Sequence, residues 1–506
     1  MEDSIRPATI ESINDLIVNM KATMESVFRE MYVDLILLTA LKQGVLDTAF
    51  SENEKSDVDL ILRIHSNVCY SVLCLCVHSR ACFKSSLDVE KQYLIRRSAI
   101  SAHETYKYLY GFTGKMTPWK RIEASLRTLH PNECDQIDTE ANNYRETYAN
   151  EDDETLRDVS KHFSDDPIEF FRSLERVNER NETDRQAVLL RFIQPIHMLL
   201  TNELMDRLGG YYLAAITLPL PEIKLGTIGI PTREKVDDLQ VELEKYSDVV
   251  NSMMSQINIA EHLGKKLNLD IESDPRWIRL TENNIGLHIL YLYLDLLSTL
   301  RAFLRSENHI ESSQNFAYYI LSSHEGLKKL YGFNEDERHQ CFWYRSIKAV
   351  LTREADESSL REVKRIEERL EDLSKNPLLR DEDMVVAFTH MGYNKRQKSE
   401  ASFAAMDYFG KSVMEEDLDS LTSLLFVMND IVLLYTKVLD LEKERINKEN
   451  EAKRNGIQEM LILMDKMMTE RVKDSAALTK WNDVYEQLSG IIQRFADSSS
   501  NKKKLE

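Results

Sequence analysis

Apolar residues recur at intervals of three and four positions along most of the chain, which is the period of an amphipathic α-helix. The clearest run steps through Leu418, Leu421, Leu425, Met428, Val432, Tyr435 and Leu439. The pattern predicts helices near residues 10–46, 58–84, 88–111, 135–163, 167–180 and 184–207, and then near 233–267, 278–305, 309–331, 338–373 and 381–391. After the run at 418–439, the almost wholly polar stretch Lys443–Asn455 interrupts the pattern, and amphipathic helices resume near 457–472 and 476–495. We therefore predict an all-α fold.

One helical segment occurs twice. Arg80–Phe112 aligns with Arg301–Phe333 without a gap and shares 12 of 33 residues with it, where chance would give about two. The shared pairs, each 221 residues apart, are Arg80/Arg301, Ala81/Ala302, Ser85/Ser306, Glu90/Glu311, Ser101/Ser322, His103/His324, Glu104/Glu325, Lys107/Lys328, Leu109/Leu330, Tyr110/Tyr331, Gly111/Gly332 and Phe112/Phe333. This similarity predicts a tandem duplication of a helical unit.

The duplication suggests a division of the chain into four parts. Residues 209–231 hold four glycines and three prolines, a concentration typical of a connection between units. We expect copy one at 1–208, this linker at 209–231, copy two at 232–447, and a C-terminal helical extension with a tail at 448–506.

Charge and hydropathy narrow the classes of partner. The chain of 506 residues carries a net charge of −20, which repels phosphate backbones and anionic lipid surfaces. The N-terminus shows no basic segment followed by an apolar run, and the apolar stretch at 285–300 is too short and too polar to span a bilayer. We expect a cytoplasmic protein that does not enter a membrane.

We predict no metal site and no cofactor from the sequence. Cys69, Cys74, Cys76 and Cys82 lie in one apolar segment, but helical spacing scatters them around the axis, so reduced thiols packed as small apolar groups are expected. The Glu-x-x-His spacing of diiron bundles is missing before His103 and His324.

The repeated motif places ionisable residues on two adjacent stripes of one helix, because a separation of seven returns to nearly the same face. In copy one the stripes are Arg96, His103, Tyr110 and Glu90, Arg97, Glu104; in copy two they are Ala317, His324, Tyr331 and Glu311, Tyr318, Glu325. The histidine, both glutamates and the tyrosine therefore occur twice, whereas the two arginines occur in copy one only.

A structural interpretation explains the shared residues. Gly111 and Gly332 occupy the position of a left-handed helix C-cap. Lys107 and Lys328 lie in the last helical turn, where a positive charge interacts favourably with the negative end of the helix dipole. The motif then ends a helix in both copies, and its histidines form hydrogen bonds within a packing layer.

A functional interpretation starts from Arg97 and His103, which five residues separate. This spacing resembles the motif of HEPN-domain helical ribonucleases. The resemblance covers one helix and implies that Arg97 stabilises the scissile phosphate while His103 performs acid–base chemistry without a metal, at an interface between two such motifs. Ser98 follows the arginine where the family usually has Asn, Asp or His, and copy two has Tyr318 in place of the arginine.

We expect a non-enzymatic helical interaction or scaffold protein, because no complete catalytic set occurs in both copies and a duplicated helical unit builds a larger binding surface. Its partners would be another protein or a second copy of itself. The alternative is an HEPN-like endoribonuclease of a toxin or phage-defence type that uses Arg97 and His103, and RNA is a partner only in that case. The sequence leaves open whether the protein is an enzyme.

Overall fold

The prediction of an all-α fold is confirmed. The computed structural model describes residues 10–46, 49–111, 116–148, 167–176, 179–220, 233–267, 278–353, 355–389, 393–394, 399–410, 415–471, 479–480, 482 and 484–486. Nearly all regular structure in this part of the chain is α-helical; the exception with strand geometry is an antiparallel pair of two-residue strands, β1 (Tyr393–Asn394) and β2 (Ser399–Glu400).

The helices of the first half are α1 (Ile10–Lys42), α2 (Glu52–Phe83), α3 (Asp88–Leu109), α4 (Pro118–Leu129), α5 (Pro131–Tyr148), α6 (Pro167–Arg176), α7 (Glu179–Leu208) and α8 (Gly210–Ile216). The second half contains α9 (Arg233–Leu267), α10 (Ile278–Leu304), α11 (His309–Leu330), a 3-10 turn (Glu335–Gln340), a π-helical turn (Trp343–Ile347), α12 (Lys348–Arg353), α13 (Glu357–Ser374), α14 (Glu382–Thr389), α15 (Ala401–Gly410) and α16 (Glu415–Arg471).

The second helices of the α2–α3 and α10–α11 hairpins have matching bounds. Helices α3 and α11 begin and end at positions 221 residues apart, and both are followed by a glycine with positive φ, +64° at Gly111 and +81° at Gly332. The predicted left-handed helix ends are therefore confirmed. At the end of α11 the Tyr331 and Gly332 N–H groups both donate to the Leu327 carbonyl. The left-handed residue thus adds a hydrogen bond to a backbone carbonyl in the last helical turn. A common origin of the two hairpins stays a prediction.

Local side chains fix the starts of two of these helices. Ser51 caps α2 in a capping box, in which its hydroxyl accepts from the Glu54 N–H and the Glu54 carboxylate accepts from the Ser51 N–H at 2.8 Å. The Asn308 side chain accepts from the Glu311 N–H at 2.9 Å at the start of α11. Each cap satisfies a backbone donor that the first helical turn would leave unpaired.

The central core lies between the two hairpins. Helix α3 packs on α2, α7, α9 and α10, and α2 packs on α1, α7 and α11. A small apolar cluster joins both hairpins through Ala81, Cys82, Leu94, Ile95, Ala99 and Ala302. The α2–α3 and α10–α11 hairpins therefore share one core.

The division into units differs from the one predicted at 1–208 and 232–447. Contacts group Met1–Ala349 and Arg361–Val432 in one compact unit, and Val350–Leu360 and Leu433–Glu506 in a second. The predicted copies fall largely in the first unit because α3 contributes its buried face to the same core as α10 and α11.

Two segments differ locally from the sequence prediction. The first part of the expected linker 209–231 is helix α8, which buries Tyr212 and Ala215; residues 221–231 of that linker lie outside the described residues. Helix α16 continues through Lys443–Asn455, where an interruption was predicted. The tail 498–506 also lies outside the described residues.

Two described helices are long and apolar enough to cross a membrane by length and composition, Glu52–Phe83 and Asn284–Leu304. In their most apolar windows 83% and 89% of the residues are buried inside the protein. Core helices of soluble proteins pass the same test, so the absence of a membrane segment stays a prediction.

Candidate functional site

The first group of candidate residues links the two hairpins. Glu311, at the start of α11, accepts from Arg80 Nε, near the end of α2, at 3.3 Å and from Lys84 Nζ, directly after α2, at 3.0 Å. Its Oε2 also accepts from the Glu307 backbone N–H at 3.0 Å. Arg80 and Glu311 are almost fully buried. This carboxylate therefore holds the end of α2 against the start of α11.

Glu90 makes the same contact in the opposite direction. It lies at the start of α3, is fully buried, and pairs with Arg301 near the end of α10 and, at 3.1 Å, with Arg305 directly after α10. The Ser85 hydroxyl also donates to it. Each hairpin therefore gives two cations to the glutamate of the other, and the shared pairs Arg80/Arg301 and Glu90/Glu311 are explained by this reciprocal contact.

Arg97 lies in the layer between α3 and the second hairpin. Its Nη2 donates to Ser322 Oγ at 2.8 Å and lies 3.5 Å from Asp295 Oδ1, while its guanidinium stands 5.1 Å from the ring centre of Tyr318. Burial lowers the pKa of Arg97 to about 10. The Arg97 guanidinium therefore interacts with a carboxylate of α10 and with a hydroxyl and an aromatic ring of α11.

Arg96 completes this layer. It donates to Asp295 Oδ1 at 2.8 Å and to the Tyr291 hydroxyl at 3.2 Å. Two buried guanidiniums therefore share the carboxylate of Asp295. The equivalent residue in copy one is Cys74.

The two motif histidines are buried. His103 is 5% exposed and His324 is 1% exposed. His324 Nδ1 donates to the Leu379 carbonyl at 2.6 Å, and its ring packs 5.0 Å from Phe333. Burial lowers the pKa of His324, so its imidazole is neutral and acts as a donor that ties α11 to the segment before α14.

The remaining candidates lie at the helix ends. The Tyr110 hydroxyl donates to Asp138 Oδ1 at 3.2 Å, and the Tyr331 hydroxyl donates to Glu371 Oε2 at 3.0 Å. Burial raises the pKa of both tyrosines. Each tyrosine therefore connects the end of its helix to a carboxylate of a neighbouring helix.

The two shared glutamates that follow the histidines are also covered. Glu104 and Glu325 are 4% and 8% exposed. The Glu104 carboxylate lies 4.0 Å from the half-exposed Lys107 ammonium one turn later. A pair with that distance and exposure contributes only tenths of a kcal/mol.

A second cluster, which the sequence did not reveal, lies among α1, α2 and α7. We call it the His–Cys–Glu cluster; its members are Glu30, His65, Cys69 and His197, whose ligand atoms lie within 4.8 Å of one another. Glu30 Oε2 is 2.6 Å from His197 Nε2 and 3.5 Å from His65 Nε2. Cys69 Sγ is 3.8 Å from His65 Nε2 and 3.9 Å from Glu30 Oε2.

Two further side chains support His65. Its Nδ1 faces Asp34 Oδ2 at 2.7 Å and its Nε2 faces Thr201 Oγ1 at 3.0 Å. The rings of His65 and His197 stack with centroids 5.1 Å apart. His65 and Asp34 are completely buried, so the ring is fixed in one orientation.

Mutual contacts shift the pKa values in this cluster. Burial raises the pKa of Asp34 to about 6. Burial lowers the pKa of His197, but hydrogen bonds with Cys69 and Glu30 outweigh it and raise the value to about 9. Burial likewise opposes the charge on Glu30, but hydrogen bonds from the two histidines leave its pKa below the ordinary range. These shifts favour a cationic His197 beside the Glu30 carboxylate.

Sequence reasoning missed this cluster because its members come from three helices and span 168 positions, from Glu30 to His197. One local signal was present: His65 and Cys69 are four apart, which places them on the same face of α2. Of the four cysteines expected to pack as reduced thiols, Cys69, Cys74 and Cys82 are buried and Cys76 is partly exposed, but Cys69 has polar neighbours.

Comparisons of the chain with protein-family models, with curated proteins and with solved structures found no match. Function is therefore inferred from the residues and their contacts.

Proposed function

We propose that the protein is a non-enzymatic helical scaffold that works through self-association. The observation that carries the non-enzymatic part of this proposal is the reciprocal contact in which Glu90 and Glu311 each bind two cations of the opposite hairpin. The shared motif then needs no catalytic explanation, because its charged residues join the two hairpins.

The burial of the HEPN-like pair supports the non-enzymatic proposal over the ribonuclease alternative. Arg97 and His103 are each 5% exposed, and Arg97 already has Asp295 and Ser322 as partners. An arginine that stabilises a scissile phosphate must reach a substrate from solvent. The ribonuclease alternative would therefore require α3 to separate from the second hairpin.

The surface proposed for self-association is an apolar stripe on α16, formed by Met460, Leu463, Met464 and Met467. These side chains are between 43% and 58% exposed. Their spacing of three and four places them within about 100° on one helix face, which is the pattern of helix pairing. The same stripe on a second copy supplies a matching apolar face, and the flexible methionines adapt to it.

Self-association is tested by sedimentation velocity over a range of protein concentrations. We expect wild type to form a concentration-dependent dimer and Leu463→Glu to remain monomeric. Ile462→Glu is the matched control, because Ile462 is equally exposed but lies about 200° around the helix from Met460. A monomeric wild type, or equal association of both variants, would refute this surface.

The enzymatic alternative is tested separately with purified protein and a labelled RNA pool. The scaffold proposal predicts no cleavage above background by wild type, Arg97→Ala or His103→Ala. Lys107→Ala, on an exposed turn of the same helix, controls for changed surface charge. Cleavage that wild type and Lys107→Ala retain and the other two variants lose would establish the ribonuclease instead.

A further inference from the structure

The His–Cys–Glu cluster has the donor set of a metal site. It offers one thiol, two imidazole nitrogens and one carboxylate, which is a set that Zn²⁺ prefers because it is of intermediate softness. We propose that the His–Cys–Glu cluster binds one Zn²⁺ ion. This proposal is independent of the scaffold function.

The distances fit a tetrahedral ion with small movements. Zinc bonds of about 2.0–2.1 Å to nitrogen or oxygen and about 2.3 Å to sulfur imply roughly 3.3 Å between the lighter donors and roughly 3.6 Å between sulfur and nitrogen. Glu30 Oε2 and His65 Nε2 are 3.5 Å apart, and Cys69 Sγ is 3.8 Å from the same nitrogen. The 2.6 Å contact between His197 and Glu30 must lengthen by about 0.7 Å when the ion replaces the hydrogen bond. The donor pairs that are farther apart, up to 4.8 Å, must move closer.

The partner of His65 fixes the tautomer that a metal requires. With its proton on Nδ1, His65 donates to Asp34 at 2.7 Å, and the Nε2 lone pair then faces the cluster. A carboxylate behind a histidine ligand is the usual second partner in zinc sites, where it orients the ring and raises its basicity. Asp34 is therefore a positioning residue in this proposal.

Charge balance points the same way. The Glu30 carboxylate and a Cys69 thiolate together neutralise the two charges of the ion. Zinc binds neutral imidazole and thiolate, so metal binding releases the protons that these donor atoms carry. One ion thus replaces several charged hydrogen bonds in a site whose donors are mostly buried.

Four protein ligands fill a tetrahedral ion and leave no position for substrate, which is the arrangement of structural rather than catalytic zinc. The ligands come from α1, α2 and α7. Bound zinc therefore cross-links α2 to α1 and α7, the two helices that pack on it and also supply ligands.

The test uses full-length protein without a polyhistidine tag, produced with added zinc and analysed by inductively coupled plasma mass spectrometry. We expect about one zinc per chain in wild type and less than about one-tenth in Cys69→Ser and His197→Asn. Cys76→Ser is the matched control, because Cys76 lies on the same helix outside the cluster; it should keep the wild-type content. Asp34→Asn should weaken zinc binding about 10- to 100-fold in a chelator competition.

Cobalt provides a readout that does not depend on whether a variant folds. Titration of metal-free wild type with Co²⁺ should give intense tetrahedral d–d bands and a thiolate-to-cobalt charge-transfer band, both saturating at one equivalent. Circular dichroism checks that the variants keep their helices. A wild type with no bound zinc and no thiolate band, or a folded Cys69→Ser with full zinc content, would overturn the proposal and leave the cluster as an ion-pair network.

Discussion

Replacing Asp295 with asparagine removes the negative charge that Arg96 and Arg97 share between the hairpins. Asp295 is 1% exposed, and its Oδ1 lies 2.8 Å from Arg96 and 3.5 Å from Arg97. Both guanidiniums stay buried in the variant without a compensating charge. Removing one partner of such a buried pair costs about 3–5 kcal/mol, and we expect Asp295→Asn to lose that much of the free energy of unfolding.

The measurement is urea unfolding followed by tryptophan fluorescence, since Trp119 and Trp343 are fully buried. Asp59→Asn is the matched control. Asp59 pairs with Arg63 one turn later at 2.6 Å and is 32% exposed, so its loss should cost only about 0.5 kcal/mol.

A second variant separates lost charge from lost packing. Changing Asp295 to leucine together with Arg96→Met and Arg97→Met replaces the whole buried group with apolar side chains, which is often neutral or stabilising. This triple variant should recover most of the stability that Asp295→Asn loses. A loss below about 1 kcal/mol for Asp295→Asn, equal to that of Asp59→Asn, would refute the assigned electrostatic role.

Three further predictions concern single positions. Burial lowers the pKa of His78 to about 3. Because the folded pKa lies below the unfolded value, the contribution of His78 to the free energy of unfolding is present above about pH 6.5 and is lost on acidification. His78→Asn should therefore remove about 2 kcal/mol of the stability loss measured between pH 7 and pH 5. Gly332→Ala should lower the melting temperature because φ is +81° there, whereas Gly456→Ala, inside α16 with nothing within 4 Å of the new methyl group, should raise it. Tyr331→Phe should cost about 1 kcal/mol in urea unfolding, because the hydrogen bond to Glu371 is lost.

Helix positions could be predicted wherever the apolar period and the end signal agree. Helix α9 has the predicted bounds 233–267, and α11 ends one residue before its predicted end at 331. Helix α16 continues where polar residues suggested an interruption, because Glu, Lys and Arg are good helix formers and one glycine costs only about 1 kcal/mol. A loss of apolar pattern therefore did not mark a helix end there.

The candidate site could be predicted only in part. Repetition singled out Glu90 and Glu311, but the sequence could not show that each binds arginines more than 200 positions away. Contacts of that separation depend on how two hairpins pack, which local patterns do not determine. The His–Cys–Glu cluster was missed for the same reason, since three helices supply its members.

The reciprocal contact has the isologous form of closed twofold dimers, in which one surface patch serves both partners. A single-copy ancestor, which the predicted duplication implies, would carry both halves of this contact and would pair with itself. Fusion of two copies in one chain breaks that symmetry, because each half then changes independently. The buried charges occur in one half of the contact only: Arg96, Arg97 and Asp295 have Ala317, Tyr318 and Cys74 as their equivalents in the repeat. A fused dimer can accumulate such a difference between its halves, and a homodimer cannot.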